Sequence, residues 1–356
     1  GKELWTEDID GEPLQIYRAF NEIDESQYVV SQIEKWLENG GKRSEIAILY
    51  RSNAQSQPHE YELVKRGIPY RVYGGLRFYE RAEIKDALAY MRLLNNREDD
   101  SAFERIINIP TRGIGQRTLE MLRDTARNRD QSLWQTCLEM LEHKQFSARA
   151  GNSVQAFINL IEELASTTKR SSLAEQVVAI IKTSGLKAFH ARENTERSQA
   201  RVENLDELVN AAKRFDDEGD PLLAMIQENN DSNEGEENTM AEFLAHAALE
   251  AGEGQAEEWE ECVQLMSLHS AKGLEFELVF LTGMEQGLFP HKNALQDYVG
   301  GRLEEERRLC YVGITRARQY LHLSHAESRT IYGRSELARA SQFLTEIPAS
   351  LVSEVR

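Results

Sequence analysis

Between Ala82 and Glu250 the apolar residues fall almost entirely on helical repeats, while the chain on either side carries short apolar runs of the buried-strand kind. Ile46 to Tyr50 is such a run. Leu14 to Phe20, Tyr70 to Tyr73, Val263 to Leu268, Leu278 to Leu281 and Tyr320 to Leu323 read as further strands. Near the start, Tyr28, Ile33, Trp36 and Leu37 space like a helix that Gly40 ends. The middle predicts helices over Ile84 to Leu94, Thr118 to Thr125, Val154 to Leu164, Leu173 to Ile181, Leu205 to Phe215 and Met240 to Leu249. A helical block set inside a strand-rich frame predicts one domain inserted into another. The expected class is α/β, with a parallel-sheet domain from residues 1–75 and 257–356, interrupted by a mainly α-helical domain over 76–256. Gly74-Gly75 supplies the outgoing hinge and the Gly252/Gly254 stretch the return. The polar, acidic run Asn229 to Asn238 predicts a loop.

A length of 356 residues suits two domains, and no run of about 18 apolar residues is present to span a membrane. The chain opens on Gly1 with no signal peptide, and three cysteines, Cys137, Cys262 and Cys310, fit a reducing cytoplasm. The net charge of -18 argues against a nucleic-acid partner only until its distribution is read. Of the 60 acidic residues, 16 lie between Asp216 and Glu261, where none of the 42 basic ones falls. The rest of the chain is close to neutral, so global charge does not decide what its surfaces bind.

Two segments carry the strongest chemistry. In VQLMSLHSAKGLEF, Val263 to Phe276, a buried strand breaks into a loop holding His269, Lys272, Gly273 and Glu275. In EEERRLCYVGITRA, Glu304 to Ala317, an amphipathic helix ends in a Gly-Ile-Thr turn that presents Arg316. An arginine held on a turn beside a strand-loop suits contact with a transferring phosphate. The bland alternatives are ion pairs: Arg316 with Glu304 or Glu305, and Glu275 with Lys272. Arg51 and Asn53 follow the Ile46 to Tyr50 strand, the position at which open parallel sheets bind ligands. His291 closes QGLFPH. Gly113-Ile114-Gly115, flanked by Thr111, Arg112 and Arg117, lets the backbone come close to a phosphate at the next helix's start, although G-x-G alone is a common turn. In YGGLRFYERAEIKDAL, Tyr73 to Leu88, Phe78 and Tyr79 read as packing, while Arg77, Arg81 and Lys85 fit either the path of a polyanion or a solvated face. No G-x-x-x-x-G-K-[ST] phosphate loop occurs in the sequence.

Together with AILYRSNAQSQ (Ala47 to Gln57) and PTRGIGQRTL (Pro110 to Leu119), these five segments resemble, in order, motifs of the UvrD/PcrA/Rep branch of superfamily 1 DNA helicases. The resemblance implies a RecA-like domain 2A interrupted by a helical domain 2B, the C-terminal half of a motor that moves 3′ to 5′ and unwinds DNA. ATP and Mg would be bound mainly by the N-terminal domains 1A and 1B, so this half alone is expected to be inactive. Arg316 would reach the γ-phosphate, and Glu275, beside Gly273, would hold the ribose. His269, Lys272, His291, Arg51 and Asn53 would lie along single-stranded DNA. Thr111, Arg112, Gly113, Gly115 and Arg117 would meet the duplex at a single-strand/double-strand junction. Repair proteins as partners and a cytoplasmic, nucleoid-associated location are implied in the same way. Two positions depart from the pattern: Glu277 stands where many relatives have Pro, and Gln57 where they usually have Arg. A Rep- or PcrA-like paralogue and a non-catalytic DNA-binding or regulatory module stay open as alternatives.

Overall fold

The computed structural model describes residues 12–193, 195–219, 239–252, 261–297 and 300–355. The chain divides into two compact units, one formed by Gly1–Arg77 with Gly254–Arg356 and the other by Phe78–Glu253. The loop expected over Asn229 to Asn238 and the return hinge at Gly254 lie outside the described residues.

The first unit carries nine strands: β1 (Leu14–Ala19), β2 (Ile46–Tyr50), β3 (Tyr70–Val72), β4 (Val263–Ser267), β5 (Phe276–Leu281), β6 (Ala317–Ala326), β7 (Ser328–Ile331), β8 (Arg334–Leu337) and β9 (Val352–Val355). Seven of them form one parallel sheet in the order β3-β4-β2-β5-β6-β1-β9, and β7 and β8 pair as a separate antiparallel hairpin. The α/β class with a parallel sheet and a helical interruption is as the sequence indicated.

Burial on both faces explains the near-continuous apolar strands. Side chains alternate across β2, so Ile46, Ile48 and Tyr50 enter one core layer while Ala47 and Leu49 enter the other. The helices Glu22–Glu38 and Ser56–Lys65 cover the first layer with Val29, Ile33 and Leu63. The second layer takes Cys310 from the helix Arg302–Ile314, together with Met284, Phe289 and Phe343. Asn21 starts the first helix by accepting the amides of Ile23 and Asp24.

A buried charge cluster holds the C-terminal ends of β5 and β6. Glu25 accepts the Gly283 amide at 2.9 Å and the Ser324 hydroxyl at 2.7 Å, and it pairs with Arg329. Glu285 receives Arg329 through Nε at 2.6 Å and through Nη2 at 2.8 Å, and it also accepts the Ala326 amide. Burial alone would raise the Glu25 carboxyl. The charges of Arg329 and His59 and the two hydrogen bonds outweigh burial and hold it below the usual carboxylate range.

The second unit is helical: Ala82–Asn95, Asp100–Ile106, Gln116–Arg129, Leu133–Glu142, Ala148–Thr168, Leu173–Thr183, Leu186–Ala191, Glu196–Glu218 and Thr239–Gly252. Its core joins Phe78, Tyr90, Phe103, Phe157, Leu205 and Phe243. Ser132, Ser147, Ser172 and Thr195 cap four of these helices with their side-chain oxygens. Phe78 and Tyr79 are packing residues, as expected, with 1% and 2% of their surface exposed.

Two buried histidines make the first unit acid-sensitive. Burial pushes the His59 imidazole down to about 4 and does the same to His322, whose Nδ1 lies 2.9 Å from the Tyr28 hydroxyl. Between pH 6.5 and 4 the unfolded chain binds a proton at each site and the folded chain does not, so stability falls as pH falls through that window, by about 3 kcal/mol per histidine at its foot. Thermal melts between pH 7 and 4.5 should show this loss, and His322→Gln should make the decline shallower by about one proton's worth. An unchanged slope in that variant would remove His322 from the account.

Candidate nucleotide and nucleic-acid sites

The parallel sheet sorts the candidate residues onto two opposite edges. Tyr50 aligns with Ser267, and Leu49 with Leu281, so the C-terminal ends of β2, β4 and β5 lie side by side. Arg51, His269 and the segment from Thr282 to His291 leave from this edge. Glu275 and Arg316 sit at the other edge, directly before β5 and β6, where Phe276 pairs with Ala317. Six residues of β5 separate the edges by about 20 Å. The loop Leu268 to Glu275 runs from one edge to the other, and Gly273, with φ of 88°, makes the turn that only glycine adopts without strain.

At the N-terminal edge the Arg316 guanidinium is half-buried and bonds only neutral groups. Nε donates to the Val312 carbonyl at 2.9 Å, Nη1 to the Leu274 carbonyl at 2.7 Å and Nη2 to the Thr315 hydroxyl at 3.1 Å. The Phe276 amide returns a bond to the Arg316 carbonyl at 2.9 Å, so the two motifs are stitched together. Glu304 pairs with Arg307 instead, and Arg316 makes no ion pair among the described residues. Glu275, next to Leu274, is exposed, as are Lys272 and Gly273, and Glu275 and Lys272 form no ion pair with each other. Glu277, the departure from the family pattern, bridges to Arg318 at 3.2 Å across β5 and β6.

The approach of helix to sheet depends on Gly313. A Cβ there would lie 2.5 Å from Leu268 Cδ2 and 3.3 Å from Leu281 Cδ2, both fully buried. Glycine therefore seats the end of the Arg302–Ile314 helix, and with it the Arg316 turn. The sequence placed Gly313 in a Gly-Ile-Thr turn, but the helix runs on through Ile314 and ends at Thr315, so the glycine serves close packing and not the turn. Glu306, the partner of Arg51, did not stand out from the sequence.

At the C-terminal edge, Arg51 is engaged by a buried partner. Its Nε reaches both Glu306 carboxylate oxygens, at 2.9 and 3.0 Å, and Nη2 reaches Oε1 at 2.7 Å. His291 is half-buried: its amide donates to the same Glu306 at 3.0 Å, and its Nδ1 accepts the Asn293 amide at 3.3 Å. Asn53 and His269 are exposed. Gln57 is buried, so the arginine usual at this position would not face solvent in this fold.

In the helical unit, Thr111, Gly113, Gly115 and Arg117 are exposed, whereas Ile114 inserts into the core. The Asn108 side chain holds the loop through the amides of Arg112 at 2.8 Å and Ile114 at 3.3 Å. Gly115 gives the Gln116–Arg129 helix no side-chain cap, so its first amides face the loop. Arg112, expected among the DNA contacts, spends its guanidinium inward. It donates to the carbonyls of Ile106 and Pro110 and to the Tyr90 hydroxyl, and lies over the Phe157 ring. Arg117 makes no hydrogen bond or ion pair among the described residues. Arg77 and Arg81 correct another expectation. Arg77 is buried 4.6 Å from the Tyr70 ring centre and Arg81 is buried against Asn204 at 2.8 Å, so neither lines an open path, while Lys85 is exposed.

Gly313→Ala should lower the melting temperature by an amount corresponding to about 1–3 kcal/mol, despite alanine's better helix propensity. Leu268→Ala in the same chain should cost less than it does alone, because it makes room for the new methyl. Strict additivity of the two losses would show that the close approach is not limiting.

A family profile described as the UvrD-like helicase C-terminal domain matches residues 1–328. DNA helicase II of Escherichia coli strain K12 is 52% identical over 357 residues, covering all of this chain and 47% of that protein. DNA helicase II of Salmonella typhimurium strain LT2 is 51% identical over 358 residues, with the same coverage. The ATP-dependent DNA helicase PcrA of Bacillus subtilis strain 168 is 39% identical over 362 residues, covering 99% of this chain and 46% of that protein. The chain thus spans about half the length of the relatives it matches. With a match across most of its residues and identities near one half, the chain belongs to the UvrD-like helicase C-terminal domain family.

Proposed function

We propose that this chain supplies the closing lobe and the duplex-holding lobe of an ATP-dependent DNA helicase that moves 3′ to 5′ along a single strand. The observation that carries this reading is Arg316: a guanidinium fixed by carbonyls, unneutralised, next to an exposed Glu275 carboxylate on the same sheet edge. A ribose hydroxyl suits the carboxylate and a terminal phosphate suits the guanidinium, so the donor set fits a nucleoside triphosphate. Magnesium, which the resemblance places mainly in domains outside this chain, would complete the phosphate contacts there.

Closure on the nucleotide would bring Arg316 to the charge developing on the transferring phosphoryl group. Rotation away from the Thr315 hydroxyl frees Nη2 for that contact, while Nη1 keeps its hold on Leu274. The loop carrying Lys272 and His269 runs from this edge to the other, where it would report closure to the single strand. None of these side chains would read a base, which suits a motor that works on any sequence. In the helical unit, the uncapped amides after Gly115, with Thr111 and Arg117, would receive a duplex phosphate. Arg112 would hold that loop from beneath. Action in DNA repair, repair-protein partners and a nucleoid location extend the same reading.

In the full-length protein, Arg316→Ala should reduce DNA-stimulated ATP hydrolysis by about 10³-fold or more without changing the melting temperature appreciably. Turnover within tenfold of the unsubstituted protein would overturn the assignment. Arg117→Glu should weaken binding to a junction and reduce the slope of log affinity against log salt by about one. An unaltered slope would place the duplex elsewhere.

A further inference from the structure

The helix Arg302–Ile314 touches both edges of the sheet. Near its start, Glu306 is buried and binds two segments of the C-terminal edge at once: the Arg51 guanidinium through both carboxylate oxygens, and the His291 amide at 3.0 Å. Two helical turns later, about 10 Å along the axis, Gly313 is wedged against Leu268 and Leu281, and the next residues form the Arg316 turn. Leu268 itself leads into the His269 loop. A short rigid element therefore joins the loops after β2 and β5 to the guanidinium at the opposite edge.

An ion pair like Arg51–Glu306, with a half-buried guanidinium on a buried carboxylate, contributes little net stability, because desolvation offsets most of the attraction. It does impose geometry. The carboxylate accepts from two chain segments at fixed angles, and removing it takes that acceptor from a guanidinium and an amide. Neighbouring Arg307 is tied to the surface carboxylates Glu304 and Glu346, so it does not duplicate the link.

We propose that Glu306 is a positioning residue that couples the C-terminal-edge loops to Arg316, so that single-stranded DNA seated at those loops sets the guanidinium for phosphoryl transfer. The inference rests on the helicase reading above and names the side chain through which strand binding is transmitted. The loops carrying Arg51 and His291 pull on the carboxylate, the helix moves as a body on the Gly313 contact, and the Arg316 turn follows.

The test uses the full-length protein, with ATP and a single-stranded oligonucleotide as probes. Glu306→Gln should cut DNA stimulation of ATP hydrolysis about tenfold, while the DNA-independent rate, the KM for ATP and the affinity for the oligonucleotide stay within about twofold. Glu306→Asp, which keeps the charge on a shorter stem, should recover part of the stimulation and guards against misfolding, with thermal melts recorded for both. Equal loss of stimulated and unstimulated rates in both variants would reduce Glu306 to a structural residue. Stimulation left intact in Glu306→Gln would remove the coupling. Absence of DNA-stimulated hydrolysis in the unsubstituted protein would overturn the helicase reading and this inference with it.

Discussion

A parallel sheet has two chemically different edges, and every loop that leaves one edge must return to the other before the next strand begins. In this chain the short return from β4 to β5 is the Leu268 to Glu275 loop, and the longer return from β5 to β6 ends in the Arg302–Ile314 helix. Both returns lie on the face that holds Met266, Leu281 and Cys310. The two motifs with the clearest chemistry are therefore the two crossings of one face, each with one end at either edge. Communication between edges needs no long relay, since each crossing is itself a link of about 20 Å or less.

The C-terminal edge is stiffened from below by the Glu25–Arg329–Glu285 cluster. Gly283 and Ala326 give their amides to these carboxylates, so the exit of β5 and the end of β6 are fixed to the helix Glu22–Glu38. The segment Gln286 to His291 starts from a point held in this way. Its far end is held by Glu306. A loop fixed at both ends by buried carboxylates can present His291 with little freedom, and the histidine's half-buried place as a cap is consistent with that constraint.

Much of the frame was legible because β2, β4 and β5 are apolar on both faces and the inserted helices keep a clean period. The hairpin of β7 and β8 was not, because its residues are mostly exposed and carry no alternation; Leu337 is 92% exposed. β9, four half-exposed or exposed residues at the sheet's margin, gave equally little signal. The motif residues Arg316, Glu275 and Gly273 were legible as a group. What composition and spacing do not reveal is which way a guanidinium turns. Arg77, Arg81 and Arg112 look like surface cations in the sequence, yet each lies against an aromatic ring or a buried polar group, where its aliphatic stem is covered as well. Glu306 was hidden for the converse reason. It is one of three consecutive glutamates, and only the fold shows that it alone faces inward.

The choice of partners separates the arginines that build this protein from those suited to act on a ligand. Arg51, Arg307 and Arg329 are each matched to carboxylates, which orient the guanidinium and also cancel its charge. Arg316 is oriented equally well by Val312, Leu274 and Thr315, but dipoles neutralise no net charge. Such a group keeps its full attraction for a phosphate and needs little reorganisation when the phosphate arrives, which is the condition for electrostatic stabilisation of a transition state. Arg112 uses the same device beneath the Gly113-Ile114-Gly115 loop, with carbonyls and a tyrosine hydroxyl as its partners. Its positive charge, which no ion pair among the described residues cancels, would raise the potential felt by an anion at the exposed loop. A carboxylate in either place would give the same geometry and remove the reason for having it.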